Sequence, residues 1–221
     1  MRIEKLKIYS SQPEKQLRFY RDVLQLDVLE SSNDSFEIKI GYSTLKIEQK
    51  ENASPYHIAF HIPALQEMKA LEWLKKRVVV LKDDGNEIVD FSSWKAKSVY
   101  FYDADKNIIE FISRRDFFPS KNEVFSGKRL IGISEIGLAT ESVQQKFNFL
   151  NEHFSVKKFT EDYETFCATG DEEGLFIVIN KERKTWFPSN DKAYSSEFEI
   201  SIKTGEISGE LTFKDDRLEI L

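Results

Sequence analysis

His57-Ile58-Ala59-Phe60-His61 and Tyr100-Phe101-Tyr102-Asp103-Ala104-Asp105-Lys106-Asn107-Ile108-Ile109-Glu110-Phe111 are the stretches that decide how this chain folds. Side chains on an extended strand repeat every second residue, so His57, Ala59 and His61 share one face. By the same rule Glu110 projects between Ile109 and Phe111, on the face opposite to both. A histidine and a carboxylate on neighbouring strands make half of a divalent-metal site.

Working outward, four tracts can be laid over one another, and such repetition defines an architecture before any chemistry is read. The first runs from Ile3 to about Gln49: a strand, a helix over 13–25 and strands near 27–31, 35–40 and 43–49. After a polar turn at Asn52–Pro55, the second has a helix over about 63–76, with Leu65, Met68, Leu71 and Leu74 at helical spacing, and closes with 99–112. A third follows Leu130, with a helix over about 142–153 and strands near 156–160, 163–168 and 174–180. The fourth has strand-like segments at 196–202 and from Leu211 onward, too close together for a helix.

The Tyr-x-Tyr-Asp-x-Asp-x-Asn-x-x-Glu run resembles the closing strand of a module in the vicinal oxygen chelate superfamily, the glyoxalase, bleomycin-resistance and extradiol dioxygenase fold. The opening strand, the turn near Ser10–Pro13 and the amphipathic helix bearing Leu17, Phe19, Tyr20, Val23 and Leu24 carry the same resemblance. It implies an α+β protein of paired βαβββ modules forming two glyoxalase-like domains, the last module degenerate and lacking its helix. The division expected is 1–115 for the first two modules, 116–128 for a crossover and 129–221 for the rest.

Composition narrows the function. The 221 residues are enough for a large core without disulfides, and the single cysteine, Cys167, agrees with a reducing compartment. With 32 basic and 38 acidic residues mixed along the chain, a nucleic-acid-binding face is not expected. No apolar run reaches membrane-span length and the start of the chain lacks the apolar core of a secretion signal, so the expectation is a cytoplasmic protein without a membrane partner.

The resemblance assigns roles residue by residue. His57 matches a first-strand metal ligand and Glu110 a last-strand one, with Glu48 as a further carboxylate; Glu110 and His61 are the expected catalytic pair, and Lys5, Phe60, Tyr100 and Tyr102 the ligand cup. At the first-strand position of module one stands Lys5, whose ammonium cannot ligate and repels a cation. A Lys5–Glu110 ion pair is therefore the alternative to a metal, and the cofactor expected is a divalent ion (Zn, Ni, Mn or Fe) held weakly or absent. In module three the matching position is Glu135, which, like Glu197, Glu199 and Glu219, reads as a solvated strand residue. Two functions follow from the family: a metal-dependent lyase, isomerase or transferase on a small oxygenated substrate, or a non-catalytic binder of the bleomycin-resistance type. A third, a relative of ring-cleaving dioxygenases without an intact iron triad, is weakened by the lack of any histidine after His153. The partner expected is a small molecule, and the modules of this superfamily pair within one chain or across a homodimer.

Overall fold

The expected modules are present in the computed structural model, which describes residues 1–120, 124–159 and 162–221. Module one comprises β1 (Arg2–Ser10), α1 (Pro13–Arg18) continuing as a π turn (Phe19–Val23), β2 (Val28–Ser31), β3 (Ser35–Ile40) and β4 (Ser43–Gln49). Module two has β5 (His57–Ile62), α2 (Glu67–Leu74), the short β6 (Val80–Leu81) and β7 (Val89–Phe91), then β8 (Ala96–Tyr102) and β9 (Ile108–Arg114). In module three are β10 (Gly132–Thr140), α3 (Val143–Phe154), β11 (Phe166–Asp171) and β12 (Gly174–Asn180), followed by a small hairpin of β13 (Thr185–Trp186) and β14 (Asp191–Lys192). The fourth is β15 (Phe198–Thr204), β16 (Ile207–Lys214) and β17 (Arg217–Ile220), without a helix. Where a strand near 156–160 was expected, a lone bridge joins Lys158 to Thr169, and residue 160 lies outside the described residues.

In each complete module the first strand lies parallel to the last: β1 on β4, β5 on β9, β10 on β12. Parallel neighbours need a crossover between them, which the helix and middle strands supply. Modules then pair antiparallel through first strands, β1 with β15 and β5 with β10, and the two pairs join where Ile3 meets Ile133. This corrects the expected division. Module one pairs with module four and two with three, so the partition 1–115 and 129–221 does not follow the hydrogen bonding. The physical reason is that β10 lies antiparallel beside β5, and strand periodicity locates strands but does not choose their partners.

Alternation sorts the side chains into two layers. Ile58, Phe60, Phe111, Ile136 and Phe176 belong to the main core, shared with helix residues such as Leu71 and Leu150. The opposite face of the module two–three sheet carries Tyr100, Ile108, Ile177, Ile179 and, beside them, Ala59, Ala96 and Ile112. That face forms a cup. No helix among the described residues is long and apolar enough to cross a membrane.

The helix missing from module four is replaced from inside the chain. α3 packs on β16 and β17 as well as on its own strands, and Phe154 at its end fits against Gly209, where an added Cβ would stand 2.5 Å from the ring. Phe198 and Phe213 stack at 5.5 Å and are fully buried. The crossover phenylalanines lie elsewhere: Phe125 packs on Trp73, and Phe117 and Phe118 pack on His61. Phe213→Ala is accordingly expected to destabilise the protein by about 3–5 kcal/mol. Urea unfolding checks this, and a cost below about 1 kcal/mol would show that α3 does not seal this face.

Candidate metal centre

Strand register builds the site. Ala59 of β5 lies opposite Glu110 of β9 on one side and Glu135 of β10 on the other, and Glu110 in turn lies opposite Tyr100 of β8. Two carboxylates thus flank a methyl group too small to keep them apart, and His57, two residues along β5, shares their face. A register shift in β10 between Ile133 and Glu135 turns Glu135 toward the cup, as bulges beside functional sites commonly do. The same shift occurs in β1 between Ile3 and Lys5, so Lys5 and Glu135 are corresponding positions in their modules.

His57 Nε2 stands 3.4 Å from Glu110 Oε2 and 3.9 Å from Glu135 Oε2. One donor atom from each of the three residues lies within 4.8 Å of the others, and all three residues are buried. The second oxygen of each carboxylate is already engaged: the Ser98 hydroxyl donates to Glu110 Oε1 at 2.5 Å, and Arg114 Nη2 donates to Glu135 Oε1 at 2.7 Å. Outer hydrogen bonds of this kind orient ligands and leave one donor atom of each directed at the centre. An oxygen, oxygen, nitrogen donor set suits a divalent first-row ion, so these residues fit a metal.

Electrostatics give the same result. Burial and the neighbouring Glu135 charge push Glu110 up to about 7, against the pull of His57. Burial opposes charge on His57, but its polar contact with Glu135 and the charges of both carboxylates outweigh that and raise its pKa. Burial would likewise raise Glu135, yet His57 and Arg114 overcome it and hold Glu135 below the usual carboxylate range. The cluster therefore holds protons near neutrality that an incoming cation would displace.

Above the three donors opens a cup of about 140 Å³ walled by Phe91, Trp94, Tyr100, Phe166, Trp186 and Phe187. Trp186, on the β13–β14 hairpin, lies 5.3 Å from the His57 ring, and Phe187 meets Tyr100 edge-on at 5.5 Å. Gly137 makes room for the indole, since a Cβ there would come 2.6 Å from Trp186. Among the described lining residues Lys184 is the one lysine, and no arginine is present.

No family model matches the chain. Metallothiol transferase FosB from Staphylococcus epidermidis is 32% identical over 102 residues, spanning 42% of this chain and 68% of that protein. The chain belongs to the vicinal oxygen chelate superfamily. A crystal structure of a Bacillus subtilis protein assigned as a dioxygenase shares the fold over 81% of this chain, with a TM-score of 0.60 at 13% identity; this chain spans 63% of that structure's length. A lactoylglutathione lyase from Agrobacterium tumefaciens aligns with 52% of this chain and 95% of its own, at 19% identity and a TM-score of 0.43.

In this vicinal oxygen chelate protein the expected site residues separate into those the structure gathers and those it does not. His57, Glu110 and Tyr100 meet in the cup. Glu135 joins them, which overturns its reading as a solvated residue. Lys5 does not: it is exposed in the module one–four half, bonded to Glu37 at 2.8 Å, so the expected Lys5–Glu110 pair does not form. Glu48 lies in that same half, 3.2 Å from Lys46. Phe60 faces the helix-side core, and Tyr102 borders a neighbouring cleft, its hydroxyl donating to Asp191. His61 shares the strand face of His57 but lies beyond the cup, under Phe117 and Phe118. Its Nε2 donates to the Glu173 carbonyl at 3.1 Å, and burial lowers its pKa to about 4. Glu197 and Glu199 are half-buried, Glu219 is exposed, and Glu199 pairs with Lys7 at 2.6 Å. The correspondence of Glu135 with Lys5 was readable from their places ahead of Phe149 and Phe19; what hid its role was the assumption that consecutive modules pair.

Because folded Glu110 keeps a proton that the unfolded chain, with its carboxylate near 4.5, gives up, stability must fall as pH rises from about 4.5 to about 7. Raised His57 acts in the same direction, and lowered Glu135 contributes no change above 4.5. Chelator-treated protein is expected to melt at lower temperature at pH 8 than at pH 6, with the profile flattened in Glu110→Gln. Equal slopes in the two proteins would contradict this account of the cluster.

Proposed function

We propose that this protein is a metal-dependent enzyme of the lyase, isomerase or transferase type, acting on a small, planar oxygenated substrate held in the aromatic cup. The observation that carries the reading is the convergence of His57, Glu110 and Glu135 at the base of an open cavity, each carboxylate with its other oxygen already tied back. A divalent ion bound there would polarise a pair of substrate oxygens as a Lewis acid.

The chain's own residues do the rest. Trp186 and Tyr100 supply flat walls on either side of His57, at 5.3 and 6.4 Å between ring centres, and exclude water from the base of the cup. The Tyr100 phenol is kept protonated by burial and the nearby Glu110 charge, so it stands beside Glu110 as a donor at the base of the cup. Glu110 must release its proton as the site fills. His61, expected as a catalytic partner, is given no part, since it bonds to Glu173 away from the cup. A FosB-like transferase and a non-catalytic binder would use the same cup, and turnover separates them.

Calorimetric titration with Mn²⁺ or Zn²⁺ tests the centre: one equivalent is expected, tighter at pH 8 than at pH 6, and lost in His57→Ala. The substrate class is tested with 4-nitrocatechol, a planar chromophore bearing two adjacent oxygens, whose spectrum shifts on chelation. A shift in the metal-loaded protein that weakens at least tenfold in Trp186→Ala supports the reading. Unchanged spectra with metal bound would remove the planar substrate, and unchanged titrations in His57→Ala would remove the centre itself.

A further inference from the structure

We infer that Arg114 is a positioning residue of the metal centre, clamping Glu135 across β5 so that its free oxygen serves as the third ligand. This rests on the metal-binding reading above. Arg114 is the last residue of β9, in module two, whereas Glu135 belongs to β10 in module three; the side chain reaches over the intervening strand to donate Nη2 to Glu135 Oε1 at 2.7 Å. The guanidinium is 2% exposed, and its Nε and Nη1 find no hydrogen-bond partner among the described residues. Burying an arginine with most of its donors unmet is costly, and a surface position would avoid the cost. The hydrogen bond that it does make ties up the one Glu135 oxygen that faces away from His57, leaving Oε2 at 3.9 Å from His57 Nε2.

Charge points the same way. Glu110 and Glu135 flank Ala59, and once Glu110 releases its proton beside a neutral histidine, two negative charges share a buried site. Arg114 brings that to one, so the carboxylates stay together in the absence of a cation without exchanging their roles. In the module one–four half the position of Glu135 is taken by Lys5, bonded to the half-buried Glu37, and Arg114 is the one buried arginine among the described residues. The buried arginine and the buried carboxylate at this position therefore occur in the same half. His61 does not substitute for Arg114, because its Nε2 is committed to Glu173 and its ring is neutral.

A double-mutant cycle read by Mn²⁺ titration tests the role, since coupling through one shared partner is non-additive. Glu135→Gln is expected to weaken Mn²⁺ binding, and Arg114→Met to weaken it about 10- to 100-fold, the usual loss for an outer-shell partner. With Glu135→Gln already present, Arg114→Met should produce no further loss. That double variant also removes both buried charges, so the comparison survives if the single Arg114→Met protein fails to fold. A general packing role would instead weaken binding in both backgrounds. Wild-type affinity in Arg114→Met, or an added loss of more than about threefold in the Glu135→Gln background, overturns the inference while leaving the centre standing. Absence of Mn²⁺ and Zn²⁺ binding by the wild-type chain overturns the centre and this inference together.

Discussion

The antiparallel pairing of β5 with β10 is the constraint on which the rest depends. It joins module two to module three, sets Glu135 opposite Ala59 and forms the cup on the inner face of their shared sheet. A slip of one residue would turn Glu135 into the helix-side core and Ile136 into the cup, because side chains alternate across a strand. The bulge between Ile133 and Glu135 fixes that register locally. The hydrophobic layer of Ile58, Phe60, Ile136 and Leu138 fixes it globally, since these residues can be buried together in one register alone.

Two halves built on one plan have diverged in what they place at their joints. In the module two–three half, Gly137 leaves space beside His57, and an indole fills it. In the other half Lys7 stands at the position of Gly137 and reaches Glu199, which stands where His57 does; the pair meets at 2.6 Å in a half-exposed setting. An ion pair so close to solvent contributes little to stability. The contrast is chemical: one joint pairs opposite charges near solvent, while the other buries two carboxylates beside a histidine.

Burial of such a cluster has an energetic logic. Each carboxylate would be expensive to bury alone, and each is stabilised by a separate donor, Ser98 for Glu110 and Arg114 for Glu135. The separate partners make the two acids unequal, one holding a proton near neutrality and one remaining ionised. The aromatic walls from β7, β8, β11 and the β13–β14 hairpin lower the local dielectric and sharpen these differences. The structural match to a Bacillus subtilis protein shows the same fold carried over most of the chain.

Much of this was legible in the sequence. Alternation around His57 and Glu110, helical spacing over about 142–153 and the short interval between 202 and 211 identified the modules, the His57–Glu110 pair and the missing helix, because those features depend on local periodicity. Partner choice was not legible. Which first strand lies beside β5 depends on which pairing buries the most apolar surface, and that is not a property of any short stretch. So the sequence by itself determined that His57 and Glu110 share a face and the fold that presents them; only the tertiary structure decided that Glu135 joins them, that Lys5 and Glu48 belong to the other half, and that a hairpin from module three brings Trp186 over His57.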